Sequence, residues 1–240
     1  MSVIDEQLEL WGVQLGFRQR EMLEDYVETL ASYKLANVVG TRDIERLWRE
    51  HLLDSLSCLL CESARRARSL IDVGSGAGLP GIPLHIVSDF RRLCLLESTS
   101  KKADFMKHAL DELGVSRAAV VDARAEDAGR EESYRESFEV ATARAVAPLD
   151  VISEYCLPLV EVGGVFVAMK GSVADGELAS GKVAAERLGA EVEEILRVPF
   201  VSGIEQKERW LVVVRKAHRT PEAYPRKVGI PRKEPLGAAR

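Results

Sequence analysis

DVGSGAGLPGIP, residues 72–83, decides how the rest of the chain is read. Four glycines fall within eight residues, directly after the apolar run Leu70-Ile71-Asp72-Val73. From Gly76 onward, GAGLPG matches the dinucleotide pattern G-x-G-x-x-G. From Asp72 onward, the same stretch is an acid followed by glycines at alternate positions, Gly74, Gly76 and Gly78, as in loops that receive a nucleoside. Both readings need glycine for one reason. Without a Cβ the backbone takes positive φ and lets a ligand lie against it.

Working outward, short β-rich runs alternate with helices from Ser69 on. SLIDVG, RLCLLE, AAVVDA, FEVATA and GVFVAMKG read as strands. IPLHIVSDF and the amphipathic STSKKADFMKHALDELG, closed by Gly114, read as helices, as does PLDVISEYCLPLVEVG. EVEEILRVPF and ERWLVVVRK read as a closing antiparallel pair. The alternation predicts an α/β, doubly wound, Rossmann-like parallel sheet covered on both faces. Such a sheet binds its ligand at the carboxyl ends of its strands. Upstream, Met22, Leu23, Tyr26, Val27 and Leu30 recur at helical spacing, and so do Ile44, Leu47, Trp48, Leu52 and Leu56, with Thr41 as the expected N-cap. The expected division is a helical N-terminal cap over 1–66, an α/β domain over 67–215 and a basic tail over 216–240.

The strand ends are therefore where chemistry is sought. Glu97 ends the second strand, 21 residues past Gly76, placed to accept the hydroxyls of a ribose. That spacing suits NAD and S-adenosylmethionine equally, but Pro80 and Pro83 do not. A pyrophosphate at a helix N-terminus is held by free N–H groups, and these prolines delete two of them. The prolines favour S-adenosylmethionine, which carries no phosphate. After the third strand, the backbone of Ala125 or Glu126 is placed to meet an adenine edge. Arg144 and Lys170, after the fourth and fifth strands, are candidate contacts for cofactor or substrate.

Composition bounds the partners. The net charge of −5 argues against nucleic acid, but residues 215–240 hold eight Lys/Arg and two Asp/Glu, a +6 segment on a chain otherwise −11. Such asymmetry is an electrostatic footprint for phosphate. No segment approaches the roughly 18 consecutive apolar residues of a membrane helix, and the acidic MSVIDEQLEL lacks a secretory h-region. The expectation is a cytoplasmic protein without membrane contact. Cys58 and Cys61 form C-x-x-C inside a leucine-rich helical stretch with no second close pair. Buried, inert thiols are expected there, and no metal site.

The blocks DVGSGAGLPGIP, LLESTSKKADFM, ARAED, ARAVAPL, AMKG and the upstream HLLDSL agree in order and spacing. Together they resemble the bacterial 16S ribosomal RNA guanine-N7 methyltransferase family, also called glucose-inhibited division protein B. The resemblance runs from about residue 37 through the basic tail. It implies a class I S-adenosylmethionine-dependent methyltransferase with a seven-stranded sheet, strand seven antiparallel, behind a helical cap. It implies cofactor contacts at Gly74, Leu79, Ala125, Glu126 and Arg144, with Glu97 on the ribose. The implied partner is 16S ribosomal RNA or the small ribosomal subunit, and the implied target a guanine in the 530 loop. Asn37-Val38-Val39 departs from the Asn-Leu-Thr usual in the family.

Guanine N7 offers a lone pair and carries no proton, so the implied reaction needs alignment rather than a general base. That fits a cleft with no evident base after strand four, and Arg144 and Lys170 are assigned to phosphate or the guanine O6. His51, Asp54 and Ser55 sit at i, i+3 and i+4 of one helix and are read as a hydrogen-bond cluster, not a hydrolase triad. Three alternatives remain: a class I methyltransferase acting on a small molecule or protein, an NAD(P)-dependent oxidoreductase, and a non-catalytic RNA-binding protein with a vestigial fold, against which the intact cofactor blocks speak.

Overall fold

A computed structural model describes residues 2–88, 90–202, 204 and 208–238. Seven strands form one sheet: β1 (Ser69–Val73), β2 (Arg92–Glu97), β3 (Ala118–Asp122), β4 (Phe138–Arg144), β5 (Val160–Lys170), β6 (Ala190–Arg197) and β7 (Trp210–Lys216). Their order is β3-β2-β1-β4-β5-β7-β6, parallel except at β7, which runs antiparallel to both neighbours. The order reverses between β1 and β4, so a crevice opens at their carboxyl ends.

The expected elements are present with three differences. VEVG, residues 160–163, is the start of β5 and not the end of a helix. The helix stops at Cys156 and a 3-10 turn through Pro158 leads into the strand. Gly163 (φ 92°) and Gly164 allow this, because a Cβ at Gly164 would come within 2.5 Å of the Glu139 carbonyl of the neighbouring strand. The register shift between Phe138 and Val140 lies at the same place. Residues 175–187 form a helix whose apolar periodicity is thin, because it packs through small residues; a Cβ at Gly181 would meet Leu149 at 2.3 Å. Finally, Thr41 does not cap the third helical run. Asp43 does, its carboxylate accepting the Arg46 N–H at 2.8 Å.

Helices cover both faces. On one lie α1 (Val3–Leu10), α2 (Phe17–Ser32), α3 (Ile44–Arg46), a π-helical turn Leu47–Leu52, α4 (Leu53–Leu56) and α5 (Glu62–Arg66), together with α6 (Gly81–Ser88) and α7 (Ser100–Glu112). Leu23, Tyr26, Leu30 and Leu56 share one core with Leu70, Val140 and Val213 of the sheet. After β3 comes the short α8 (Ala125–Ala128). The opposite face is covered by α9 (Leu149–Cys156) and α10 (Asp175–Arg187).

The basic tail continues this second core and ends near α11 (Ile230–Lys233). Lys216 is fully buried, donating to the Leu157 carbonyl and pairing with Glu136 at 3.3 Å; burial pulls its pKa down to about 8. Arg135 donates to the carbonyls of Thr220 and Tyr224 at 2.8 Å. Arg226 grips the fully buried Glu154 through Nε (3.0 Å) and Nη2 (2.6 Å). Leu236 is buried in the core, a contribution of roughly 2 kcal/mol. Two of the tail's cations are thus structural, and Arg240 lies outside the described residues.

Candidate functional site

The glycine loop leaves β1 and enters α6 with Gly74, Gly76 and Gly78 all at positive φ (71°, 60° and 87°). The three serve different ends. A Cβ at Gly78 would strike Ile82 Cδ1 at 2.4 Å, and one at Gly74 would strike Val146 Cγ2 at 2.8 Å. At Gly76 the nearest atom would be the Gly74 carbonyl, 3.9 Å away. Gly78 is glycine for packing, Gly74 for close approach of the chain after β4, and Gly76 faces open space where a ligand can lie.

Three elements hold the loop. Glu97 accepts the Gly76 N–H (3.0 Å) with one oxygen and the Thr99 N–H (2.9 Å) with the other. The fully buried Tyr26 donates to the Ala77 carbonyl. Beneath, Asp72 accepts the Gly81 N–H and the Thr142 hydroxyl, each at 3.0 Å. Asp72 has no exposure and burial pushes its pKa up to about 6. It braces the loop from beneath with both oxygens engaged. Leu79 also lies behind the loop, with its side chain in the core and its N–H given to the Ser75 carbonyl. Neither Gly78 nor Leu79 presents a side chain to the cavity.

This donor set excludes a pyrophosphate on physical grounds. The Gly81 N–H serves Asp72, the Ile82 N–H serves Gly78, and residues 80 and 83 are prolines. No free N–H remains at the start of α6, and a buried carboxylate already stands there. A nucleoside joined to a sulfonium fits better. A cavity of about 120 Å³ beside the loop is lined by Gly74, Ala125, Glu126, Val146, Tyr155 and Arg232, among others. Ala125 and Glu126 open α8, where the first backbone N–H groups have no intrahelical acceptor. The Glu126 carboxylate points elsewhere and accepts the Gly229 N–H at 2.9 Å.

A second cavity, of about 380 Å³, lies at the ends of β4 and β5 against the π-helical turn. Glu50, His51, Asp54, Arg144, Lys170 and Arg209 line it. Asp54 is its pivot. Nearly buried, it accepts Arg144 Nη1 at 3.1 Å and Arg209 Nε at 2.9 Å. Lys170 is engaged with Glu177 at 2.6 Å and the Ala147 carbonyl at 3.3 Å. Burial and the nearby Arg144 hold the His51 pKa below its usual value. His51, Asp54 and Ser55 are not one hydrogen-bond cluster, because Ser55 donates to the His51 carbonyl and Asp54 turns to the arginines.

Residues 144–147 run between the two cavities, leaving β4 through Ala145 at φ 56°. A non-glycine residue in that conformation costs roughly 1–2 kcal/mol, and such strain collects where function needs it. Sequence reasoning missed Glu50, Arg209, Tyr155 and Arg232. Arg209 carried one signal: the antiparallel β7 begins where the parallel strands end.

Among the described residues all four cysteines are free and buried, no cluster of metal-ligating side chains occurs, and no helix is long and apolar enough to cross a membrane.

Comparison with known proteins agrees with this geometry. The family described as GidB, rRNA small subunit methyltransferase G, matches residues 19–206. A ribosomal RNA small subunit methyltransferase G from Rubrobacter xylanophilus is 50% identical over 231 residues, covering 96% of this chain and 88% of that protein. Its counterpart from Pelotomaculum thermopropionicum is 42% identical over 246 residues, covering 98% and 100%. Among solved structures, the O-methyltransferase TomG from Streptomyces achromogenes, in complex with S-adenosylmethionine, aligns with TM-score 0.53 and 16% identity over 86% of this chain and 92% of that one. An S-adenosylmethionine-dependent O-methyltransferase from Thermotoga maritima aligns with TM-score 0.53 and 14% identity, covering 82% and 73%. At such identities these two speak for the class I methyltransferase fold alone. The chain belongs to the GidB family, rRNA small subunit methyltransferase G, and is an S-adenosylmethionine-dependent enzyme.

Proposed function

We propose that this chain methylates N7 of a guanine in the 530 loop of 16S ribosomal RNA, in the cytoplasm, by in-line transfer without a general base. The observation that carries the reading is the pair of cavities on either side of residues 144–147. The first suits a nucleoside, with Gly76 as the open face, Glu97 beside it for the ribose and the backbone of Ala125 and Glu126 for adenine. S-adenosylmethionine supplies the electrophilic methyl. The second cavity suits an anionic, base-bearing substrate.

The chain's own task is then orientation. Arg144, Arg209 and Lys170 gather positive charge at the mouth of the second cavity for phosphate or the guanine O6. Both carboxylates there are tied up, Asp54 with two arginines and Glu50 with Arg46 at 2.9 Å, and burial lowers the basicity of His51. An acceptor that carries no proton at the reacting atom is consistent with that inventory. Residues 1–66 act in this reading as a cap that contributes one wall of the substrate cavity.

The test is transfer of labelled methyl from S-adenosylmethionine to naked 16S RNA, 30S particles and protein, with mass-spectrometric mapping of the product. A single 7-methylguanine in the 530 loop is expected. Label on another base, on protein or on a small molecule overturns the reading.

A further inference from the structure

We infer that the C-terminal segment 226–236 is a wall of the cofactor site, with Arg232 as a direct contact to the bound nucleoside. This rests on the reading of the first cavity as the cofactor site.

Three observations carry it. First, Arg232 lines that cavity together with Ala125, Glu126 and Tyr155, although more than a hundred residues separate it from the glycine loop. Exposed and without a hydrogen bond or ion pair among the described residues, its guanidinium acts electrostatically on Tyr155. Arg226, six residues before it, is committed to Glu154 and to the Glu234 carbonyl. A free guanidinium beside an aromatic ring at a nucleoside cavity can stack on adenine or donate to it.

Second, the segment is anchored on both sides of Arg232, so its position is not that of a loose tail. Before it, Arg226 holds the buried Glu154 through side chain and main chain, with the Arg226 N–H at 2.7 Å. Arg226 Nη2 also donates to the Glu234 carbonyl at 2.7 Å, closing residues 226–234 into a loop. Beyond it, Leu236 is buried in the core, and Gly237 passes so close to α10 that a Cβ would sit 2.2 Å from the Ser180 carbonyl.

Third, Glu126 ties the segment to the site through one residue. Its main chain forms cavity wall while its nearly buried carboxylate accepts the Gly229 N–H at 2.9 Å. A ligand that orders the backbone at Ala125–Glu126 orders the same side chain that receives residue 229. Cofactor binding and docking of the segment are therefore linked, and each strengthens the other.

The experiment uses the full chain and S-adenosylhomocysteine as probe. Calorimetry compares wild type with Arg232→Ala, a variant of an exposed side chain outside the core, and with Glu126→Gln. In parallel, trypsin cleavage after Lys227, which is exposed, is followed with and without saturating probe. Arg232→Ala is expected to weaken binding five- to tenfold with an unchanged melting temperature. The probe is expected to slow cleavage after Lys227 at least tenfold in wild type and markedly less in Glu126→Gln. Unchanged affinity in Arg232→Ala, or cleavage indifferent to the probe while wild type binds it, overturns the inference. Gly76→Val separates this from failure of the site itself. If Gly76→Val also binds normally, the cofactor lies elsewhere and the inference falls with the site; if only Arg232→Ala binds normally, the segment alone is excluded.

Discussion

The two cavities flanking residues 144–147 are built from different material. The first takes its shape from main chain: three glycines at positive φ, the start of α8, and a buried carboxylate that holds the loop from below. The second takes its shape from charged side chains drawn from the helical N-terminus, β4, β5 and the start of β7, with Arg144 and Arg209 both turning on Asp54. A main-chain site tolerates most side-chain changes and fails where a Cβ is added. A side-chain site fails when its pivot charge is removed, because the remaining charges lose their geometry and their neutralisation together.

The largest effect that would break this contrast is at the pivot. Asp54→Ala leaves two partly buried guanidiniums unpaired and is expected to cost about 2–4 kcal/mol of stability. Methyl transfer to RNA should fall at least 100-fold, about 2.7 kcal/mol in barrier, while S-adenosylhomocysteine affinity changes less than twofold. Urea unfolding, single-turnover transfer and calorimetry on one preparation check all three. A parallel loss of cofactor affinity would mean that the cavities are not independent.

Next comes the brace under the glycine loop. The folded state holds the Asp72 proton up to about pH 6, whereas an unfolded carboxyl has lost it near 3.8. This group's contribution is therefore fully present below about pH 4 and lost as pH rises through 6. Between about pH 4.5 and 7.5, wild type should lose roughly 1–2 kcal/mol relative to Asp72→Asn in urea unfolding. A constant difference across that range would show that Asp72 is not buried as a carboxylate.

Gly76→Val combines a strained φ with a side chain in the open face of the cavity. It should weaken S-adenosylhomocysteine at least tenfold, about 1.4 kcal/mol, without altering RNA affinity. Equal calorimetric binding by variant and wild type would remove the loop from the site.

Smaller still is the effect of the tail's exposed cations. Deleting everything after Val214 would not isolate them, since Lys216, Arg226 and Leu236 are structural. Replacing the exposed Arg219, Lys227 and Lys233 by Gln should instead lower the salt slope of RNA binding by about 1.4–2, at roughly 0.7 per phosphate released. An unchanged slope with the protein folded excludes them as RNA contacts. The smallest effect is a null one. On the proposed N7 chemistry the acceptor loses no proton, so the transfer step should be flat from about pH 7 to 9. A slope of one across that range would point to an acceptor that must lose a proton.

Much of the fold was legible because its signals are local. Apolar five- to seven-residue runs marked the parallel strands, and Gly114 closed α7 where expected, at φ 59°. The first half of β5 was not legible. Its alternation is interrupted by Gly163 and Gly164, whose role depends on a neighbouring strand. Nor was α10, whose small residues make contacts rather than a periodic apolar stripe. In the site, Gly76, Glu97, Ala125 and Glu126 stand beside the first cavity or its loop, while Asp72 and Leu79 lie behind it.

By itself the sequence determined that the loop could turn through positive φ at residues 74, 76 and 78, because only glycine takes that conformation without a steric cost. It also determined that two N–H donors are missing at the start of α6, because a proline has no N–H in any fold; that the Gly81 and Ile82 N–H groups are already engaged was decided by the fold. Only the tertiary structure decided which charges are free. Composition counts eight cations after residue 214, but ion pairing falls off over a few ångströms and joins residues far apart in the chain, such as Asp54 and Arg209, 155 positions away. Whether a guanidinium anchors the core, as Arg226 does, or stands open at a cavity, as Arg232 does, is set by what the fold brings beside it.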